Sequence, residues 1–430
     1  MEYWRACSFA FLVLLSVGCR KDKDETAPSV RILLPSGAAT FSIPDTIVVR
    51  AEVSDDVGLE SLLFSIEDAN GAPITSAAAI NMNGSSGTFE RELIVNNERL
   101  LSGSYTIVVR ASDGANDGRA FKDITLLEIP LRLRSIFLAP PFGTTAATIK
   151  RVDSLAVVSD WTTVQDLNGV AVDSYSQHLL LAGSQFAPFQ AVPTSASSRP
   201  WQFSASTNDV PEQFTAVTVD PSDRRTYFST RDGMIRGFTG DGAQQFTSQC
   251  LPGNRCEEIV VMGNVVATWQ RAIVGGAAMI VTYSIAGTVL ETLPVEHERI
   301  ALFQRTDQSL LLFANEAGTG LIEDLNVSAG GSPEVRTFPD EAIRAVARLD
   351  ANTLIIALLD RLVRFNYSTN TVSTVTTGIA ATSLVYDPAT GALFAAQGTD
   401  LLTIDPNSGM VTNTLSTGNT IGHILPLRNR

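Results

Sequence analysis

Histidine is almost missing from this 430-residue chain, at three residues, and cysteine is scarce, at four. So few imidazoles and thiols leave little for a zinc or haem site, and no cofactor is expected. Lysine and arginine number 31 against 45 acidic residues, a net charge of −14, and form no basic block. That argues against nucleic-acid binding through phosphate contacts. No G-x-S-x-G elbow, P-loop or H-E-x-x-H occurs, so the commonest signatures of hydrolase, nucleotide and zinc chemistry are missing. No apolar run reaches the ~20 residues of a membrane-spanning helix. What is plentiful is apolar material, 44% of the chain, with 31 Gly and 19 Pro. This is enough for a sizeable core, which excludes wholesale disorder.

Residues 6–18, ACSFAFLVLLSVG, are a 13-residue apolar run. Its length suits a signal-peptide core and is too short to cross a bilayer. Arg5 is the one positive side chain ahead of it, offset by Glu2. The run ends in Leu15-Ser16-Val17-Gly18-Cys19. Small residues directly before a Cys resemble the lipobox of bacterial lipoproteins, in which cleavage leaves a lipidated Cys as the new N-terminus. The resemblance implies a signal peptide over 1–18 and a membrane anchor at Cys19, where several acyl chains hold stably and one would not. An ordinary secretory signal with a chance Cys is the alternative.

Residues 19–28 are too charged to pack and read as a solvated tether. Lys21-Asp22-Lys23-Asp24-Glu25 resembles the Lys-then-acidic export signal of Bacteroidota-type lipoproteins, with Lys23 interposed. That implies the outer membrane and the cell surface, periplasmic-facing attachment being the alternative. Cys250 and Cys256 flank a Pro-Gly turn, and in an oxidising compartment they are expected to form a disulfide closing a small loop.

Residues 29–129 alternate apolar and polar at period two, with strands predicted at 30–34, 46–53, 59–67, 88–95, 104–111 and 120–127. Ala51-Glu52-Val53-Ser54-Asp55-Asp56-Val57-Gly58 and Gly103-Ser104-Tyr105-Thr106-Ile107-Val108 resemble bacterial immunoglobulin-like modules. The resemblance implies a β-sandwich, with Tyr105 at its tyrosine corner. Asp55, Asp56, Asp113 and Asp117 fall in two turns. Gathered at one end they are a weak Ca²⁺ candidate, and the alternative is that each caps its own turn.

Residues 130–430 repeat. An apolar strand, a turn and a second apolar strand recur with turns at 173, 220, 263, 307, 350 and 387, gaps of 47, 43, 44, 43 and 37. A period in the low forties is the signature of a β-propeller. Residues 421–427 look like a further first strand with nothing after it, and 135–158 like three strands lacking a first. Joining them closes a ring of seven blades. The turns Asp387-Pro388-Ala389-Thr390-Gly391 and Asp405-Pro406-Asn407-Ser408-Gly409 resemble extracellular YVTN and NHL propellers. The fold class expected is therefore all-β, an immunoglobulin-like sandwich followed by a propeller that its C-terminal strand closes.

Three features are candidate ligand sites. The segment 185–203 reads as a long loop carrying Phe186, Phe189, Trp201 and Phe203, rings that stack on sugars or grip a peptide; burial against the next blade is the alternative. Asp173, Asp220 and Asp387 end equivalent first strands, either ringing the channel or capping turns. His423 lies on a channel-lining strand, with His178 in the neighbouring blade; packed histidines are the alternative. No catalytic residue is assigned. The reading is a non-enzymatic surface lipoprotein that binds a protein partner or a glycan. The alternatives are a propeller lyase or hydrolase acting on polysaccharide and a structural envelope component.

Overall fold

The structure is a computed structural model, and it describes residues 24–154, 156–196, 198–204, 214–220 and 224–430. The signal segment, Cys7 and Cys19 lie outside the described residues. The described residues contain no helix, and so none long and apolar enough to cross a membrane. The chain divides into two compact units, Met1–Ile129 and Pro130–Arg430.

The first unit has six strands: β1 (Ser29–Leu34), β2 (Ala39–Ser42), β3 (Asp45–Glu67), β4 (Ala78–Val95), β5 (Gly103–Ser112) and β6 (Asp117–Leu127). The order is β1-β3-β5-β6-β2, with β4 also paired to β3. Two predicted strands are one: 46–53 and 59–67 run together as β3, with a register shift between Ser54 and Leu59. Ahead of that break β3 pairs with β1, and beyond it with β5. Ile47, Val49, Ala51 and Val53 from the first half share one core with Leu62, Phe64 and Ile66 from the second. Ile107, Val109, Ile124 and Leu126 complete it. Period-two alternation supplies one buried side chain per pair of residues, as a half-solvated sheet requires.

Tyr105 sits near the start of β5, and its hydroxyl donates to the Leu101 carbonyl at 3.0 Å. This is the tyrosine-corner bond. Tyr105→Phe should lower the stability of this unit by about 1 kcal/mol, the net worth of one such bond. Denaturant unfolding of the variant checks it, and an unchanged midpoint would contradict the assignment.

The second unit is seven four-stranded sheets. Blade 1 pairs the C-terminal strand His423–Arg428 with Leu133–Ala139, Ala146–Val152 and Val158–Gln165. Blades 2 to 7 follow in chain order, with first strands Leu167–Asp173, Phe214–Asp220, Asn254–Met262, Glu298–Thr306, Ala345–Arg348 and Ser383–Asp387. The closing strand joins Leu133–Ala139 as expected, with Ile424 opposite Leu138 and Leu427 opposite Ser135.

The second strand of a blade is buried on both faces, which explains its continuous apolar run. In His178–Gly183, Leu179 and Leu181 pack with blade 1, while Leu180 and Ala182 pack with Phe214 and Phe228 of blade 3. The same alternation joins every neighbouring pair of blades. The seventh interface returns from Phe394 and Ala396 of blade 7 to Ile136, Leu138 and Ile424 of blade 1. First strands crowd where the ring is narrowest: a Cβ on Gly169 would lie 2.6 Å from Val217 Cγ2. This is a close approach that glycine permits.

Candidate functional site

The aromatic segment of blade 2 is not a long loop. Phe189–Pro193 and Trp201–Phe203 are the third and fourth strands of the blade, with Gln190 opposite Gln202 and Ala191 opposite Trp201. Alternation therefore sends Phe189, Trp201 and Phe203 to the face turned toward blade 3. Phe189 is fully buried and stacks on Phe228 at 4.5 Å between ring centroids. Phe203 packs on Phe228 and Phe238. Trp201 stacks on Phe238, and its indole N–H donates to the Gly240 carbonyl at 3.1 Å. Gly242, at φ +85°, lets the ring in, since a Cβ there would sit 3.0 Å from it. Phe186 is the exception. It is 73% exposed, in the turn between the second and third strands. The four rings thus do not form one binding surface, because Phe189, Trp201 and Phe203 pack against blade 3 and leave Phe186 exposed by itself.

The same hairpin makes an open groove of about 420 Å³. Gln190, Ala191, Val192 and Pro193 line it from the third strand, and Pro200, Trp201 and Gln202 from the fourth. Gln190 and Gln202 are register partners, so their amides share the face away from the aromatic stack. Among the described residues, the lining holds no charged side chain. Two adjacent amides offer both donors and acceptors, and the proline rings offer apolar surface. Such a site suits an uncharged ligand rich in hydroxyls. Sequence reasoning missed both glutamines, because their pairing depends on a hairpin register that the Ser- and Pro-rich sequence between them hides.

The carboxylates at the ends of the first strands do not ring a channel mouth. Asp173, Asp220 and Asp387 are 2%, 9% and 0% exposed. Asp173 Oδ1 accepts from the Ser176 amide at 3.0 Å. Asp387 Oδ2 accepts from the Thr390 amide and hydroxyl, and its Oδ1 accepts from Arg428 Nε at 2.6 Å. A short side chain two or three bonds from the turn it closes is drawn to that turn's own amides. The Arg428–Asp387 pair also ties the closing strand to blade 7.

The histidines are apart. His178 follows the turn that begins after Asp173, whereas His423 opens its own first strand, at the opposite end of the strand direction. His178 Nε2 is 2.8 Å from the Arg199 carbonyl. His423 stacks on Phe142 at 4.0 Å, and burial pushes its pKa from 6.5 down to about 4. His297 Nδ1 is 2.6 Å from Glu323, a nearly buried carboxyl whose own pKa burial raises.

Cys250 and Cys256 are not bridged; both are buried free thiols. The Pro-Gly turn brings them together, but Cys256 lies inside the first strand of blade 4 at a register shift. There its thiol donates to the Glu258 carbonyl at 3.3 Å. Burial, then the neighbouring Cys250 thiol, pushes the Cys256 pKa well above its ordinary range. These are packed, buried thiols rather than a loop staple.

In the first unit Asp55 and Asp113 come together, whereas Asp56 and Asp117 do not join them. Asp117 pairs instead with Arg110 at 2.5 Å.

Residues 28–109 match the bacterial Ig domain family. No curated protein matches the chain. Among solved structures the chain is similar to a quinonprotein alcohol dehydrogenase-like protein from Bacteroides thetaiotaomicron, at 10% identity and a TM-score of 0.45, over 93% of this chain and 99% of that one. It is also similar to a protein of unknown function from Bacteroides caccae, at 13% identity and a TM-score of 0.40, over 68% and 99%. The WD40 β-propeller domain of Doa1 is similar at 11% identity and a TM-score of 0.44, over 58% and 82%.

Proposed function

We propose that this chain is a non-enzymatic binding protein, tethered to the outer membrane by lipid on Cys19, whose propeller holds a neutral glycan at the cell surface. The observation that carries the ligand class is the uncharged groove of blade 2, with paired Gln190 and Gln202 amides beside Pro193 and Pro200. Sugar hydroxyls pair with amides, and the apolar faces of a pyranose lie against proline rings. The tether reading rests on the lipobox-like Leu15-Ser16-Val17-Gly18-Cys19 and the charged stretch after it. The binding reading is favoured over an enzyme by the histidines, since none lines the groove.

Two measurements test this. Cys19→Ser should move the protein from the membrane to the soluble fraction and abolish labelling by a fatty acid; retention on the membrane would contradict the tether. On an array of neutral and acidic glycans the full chain should select neutral ones. Gln190→Ala/Gln202→Ala should lose at least about tenfold in affinity, the worth of one to two hydrogen bonds. Selection of acidic glycans, or full retention by the variant, would contradict the groove.

A further inference from the structure

Three blades share a pattern where the first strand turns into the second. Asp173, Asp220 and Asp387 end their first strands, and the residue four positions on precedes the second strand or opens the way to it: Gln177, Arg224 and Gly391. All three have left-handed backbone, at φ +58°, +59° and +69°. Blade 7 places glycine there, which adopts this conformation without steric cost. Blade 2 places glutamine, which does so at a cost. A side chain that holds such a backbone must recover that cost through its contacts.

The contacts of Gln177 join three segments. The residue is 3% exposed, and its amide is fully engaged. Nε2 donates to the Arg428 carbonyl at 2.7 Å and to the Ser174 carbonyl, while Oε1 accepts from Arg134 at 2.9 Å. Arg428 belongs to the closing strand, and its own N–H donates to Ser174 Oγ at 3.0 Å. The main-chain carbonyl of Gln177 turns to the groove hairpin. It accepts from the Thr194 amide and hydroxyl, both at 2.9 Å. Thr194 follows Pro193 of the groove. The neighbours of Gln177 hold the other side of the same connection. The Ser176 carbonyl accepts from Ser198 Oγ at 2.7 Å, and His178 Nε2 lies 2.8 Å from the carbonyl of Arg199, which precedes Pro200 of the groove.

We propose that Gln177 is a positioning residue that couples the groove of blade 2 to closure of the ring. The inference rests on the groove reading above. One buried amide fixes the turn against the closing strand, and the carbonyls of that turn fix both ends of the connection that sets Pro193 and Pro200. Detachment of the closing strand withdraws the Arg428 carbonyl and frees the turn, and the groove walls move with it. A groove already in place costs less ordering when it binds. By linkage, a ligand that needs the ordered groove favours the closed ring by the same factor as the closed ring favours the ligand.

The test is amide hydrogen exchange of the full chain, with and without a saturating amount of the best neutral oligosaccharide from the array. Gln177→Gly removes the side-chain contacts and suits the backbone, as Gly391 does in blade 7. Without sugar, exchange of the Arg428 and Thr194 amides should rise together by at least about fivefold, for two buried hydrogen bonds lost less the strain relieved. With sugar, the Arg428 amide should exchange more slowly in the wild type and at an unchanged rate in the variant. Gln177→Asn tolerates this backbone but is one methylene short of Arg428. It should behave as Gln177→Gly does, and it decides the matter if the glycine variant does not fold. A rise at Thr194 alone, or sugar that slows Arg428 exchange equally in both proteins, would overturn the coupling and leave the groove reading standing. If no neutral sugar binds, the groove reading falls and the coupling falls with it.

Discussion

Truncation after Gly418 should prevent the second unit from folding cooperatively. The lost segment carries Ile421, Ile424 and Leu427, which are 2%, 4% and 2% exposed. At ~1.5–3 kcal/mol for each buried side chain, their removal costs roughly 5–9 kcal/mol, as much as the whole stability of many domains. The loss is felt at two seams at once, because Ile421 and Ile424 pack between blades 7 and 1 while Leu427 packs between blades 1 and 2. It also strips the paired edge from Leu133–Ala139 and removes Arg428 from the buried Asp387 carboxylate. Circular dichroism and calorimetry of the truncated chain check this, with the Ig-like unit as an internal reference. A propeller transition that keeps its temperature and enthalpy would show that the ring does not depend on this strand. A milder version is Ile424→Ala, for which the expected loss is about 2–4 kcal/mol from transfer and cavity together.

The second large effect is a loss of stability in acid traced to one imidazole. Burial holds the His423 pKa at about 4 in the folded chain, against 6.5 when exposed. Between those values the unfolded chain binds a proton that the folded chain does not, so stability falls as pH falls from 6.5 toward 4. The full difference is about 3 kcal/mol at 1.36 kcal/mol per pH unit. Above pH 6.5 the contribution is complete and flat. His423→Phe keeps the ring on Phe142 and removes the titration. Its unfolding free energy should therefore run nearly parallel to wild type above pH 6.5 and decline less steeply below it. Parallel curves down to pH 4 would show that His423 is solvated in the folded state.

Much of the architecture was legible because propeller second strands are buried on both faces. Runs such as His178–Gly183 and Ser309–Glu316 cannot be solvated strands, and the turns before them carry Asp or Gly at a nearly fixed spacing. The outer strands were harder. Val289–Val295 and Val411–Ser416 are mostly exposed and carry no strong pattern. The pairing of Trp201–Phe203 with Phe189–Pro193 was hidden by the Ser- and Pro-rich residues between them. Ala39–Ser42, a short parallel partner of β6, was missed for a different reason: four residues carry too little alternation to be read.

The candidate site was less legible, because spacing along the chain says little about which side chains a register brings together. Of the two readings open for Phe189, ligand platform or burial against the next blade, the structure bears out burial. Gln190, its neighbour, faces the groove. Asp173 and Asp387 lie at equivalent positions, as the repeat required, but their own turn amides hold them. The spacing of Cys250 and Cys256 matched a closed loop. It could not reveal that Cys256 sits inside a strand, with its thiol committed to the Glu258 carbonyl.

The groove of blade 2 is proposed to bind its ligand without turnover. Calorimetric titration of the full chain with the best neutral oligosaccharide from the array, followed by analysis of the recovered sugar, tests it most directly. The expected result is saturable binding, at least about tenfold weaker in Gln190→Ala/Gln202→Ala, with the sugar recovered intact. Absence of binding, equal binding by the variant, or recovery of a shortened or unsaturated sugar would contradict it.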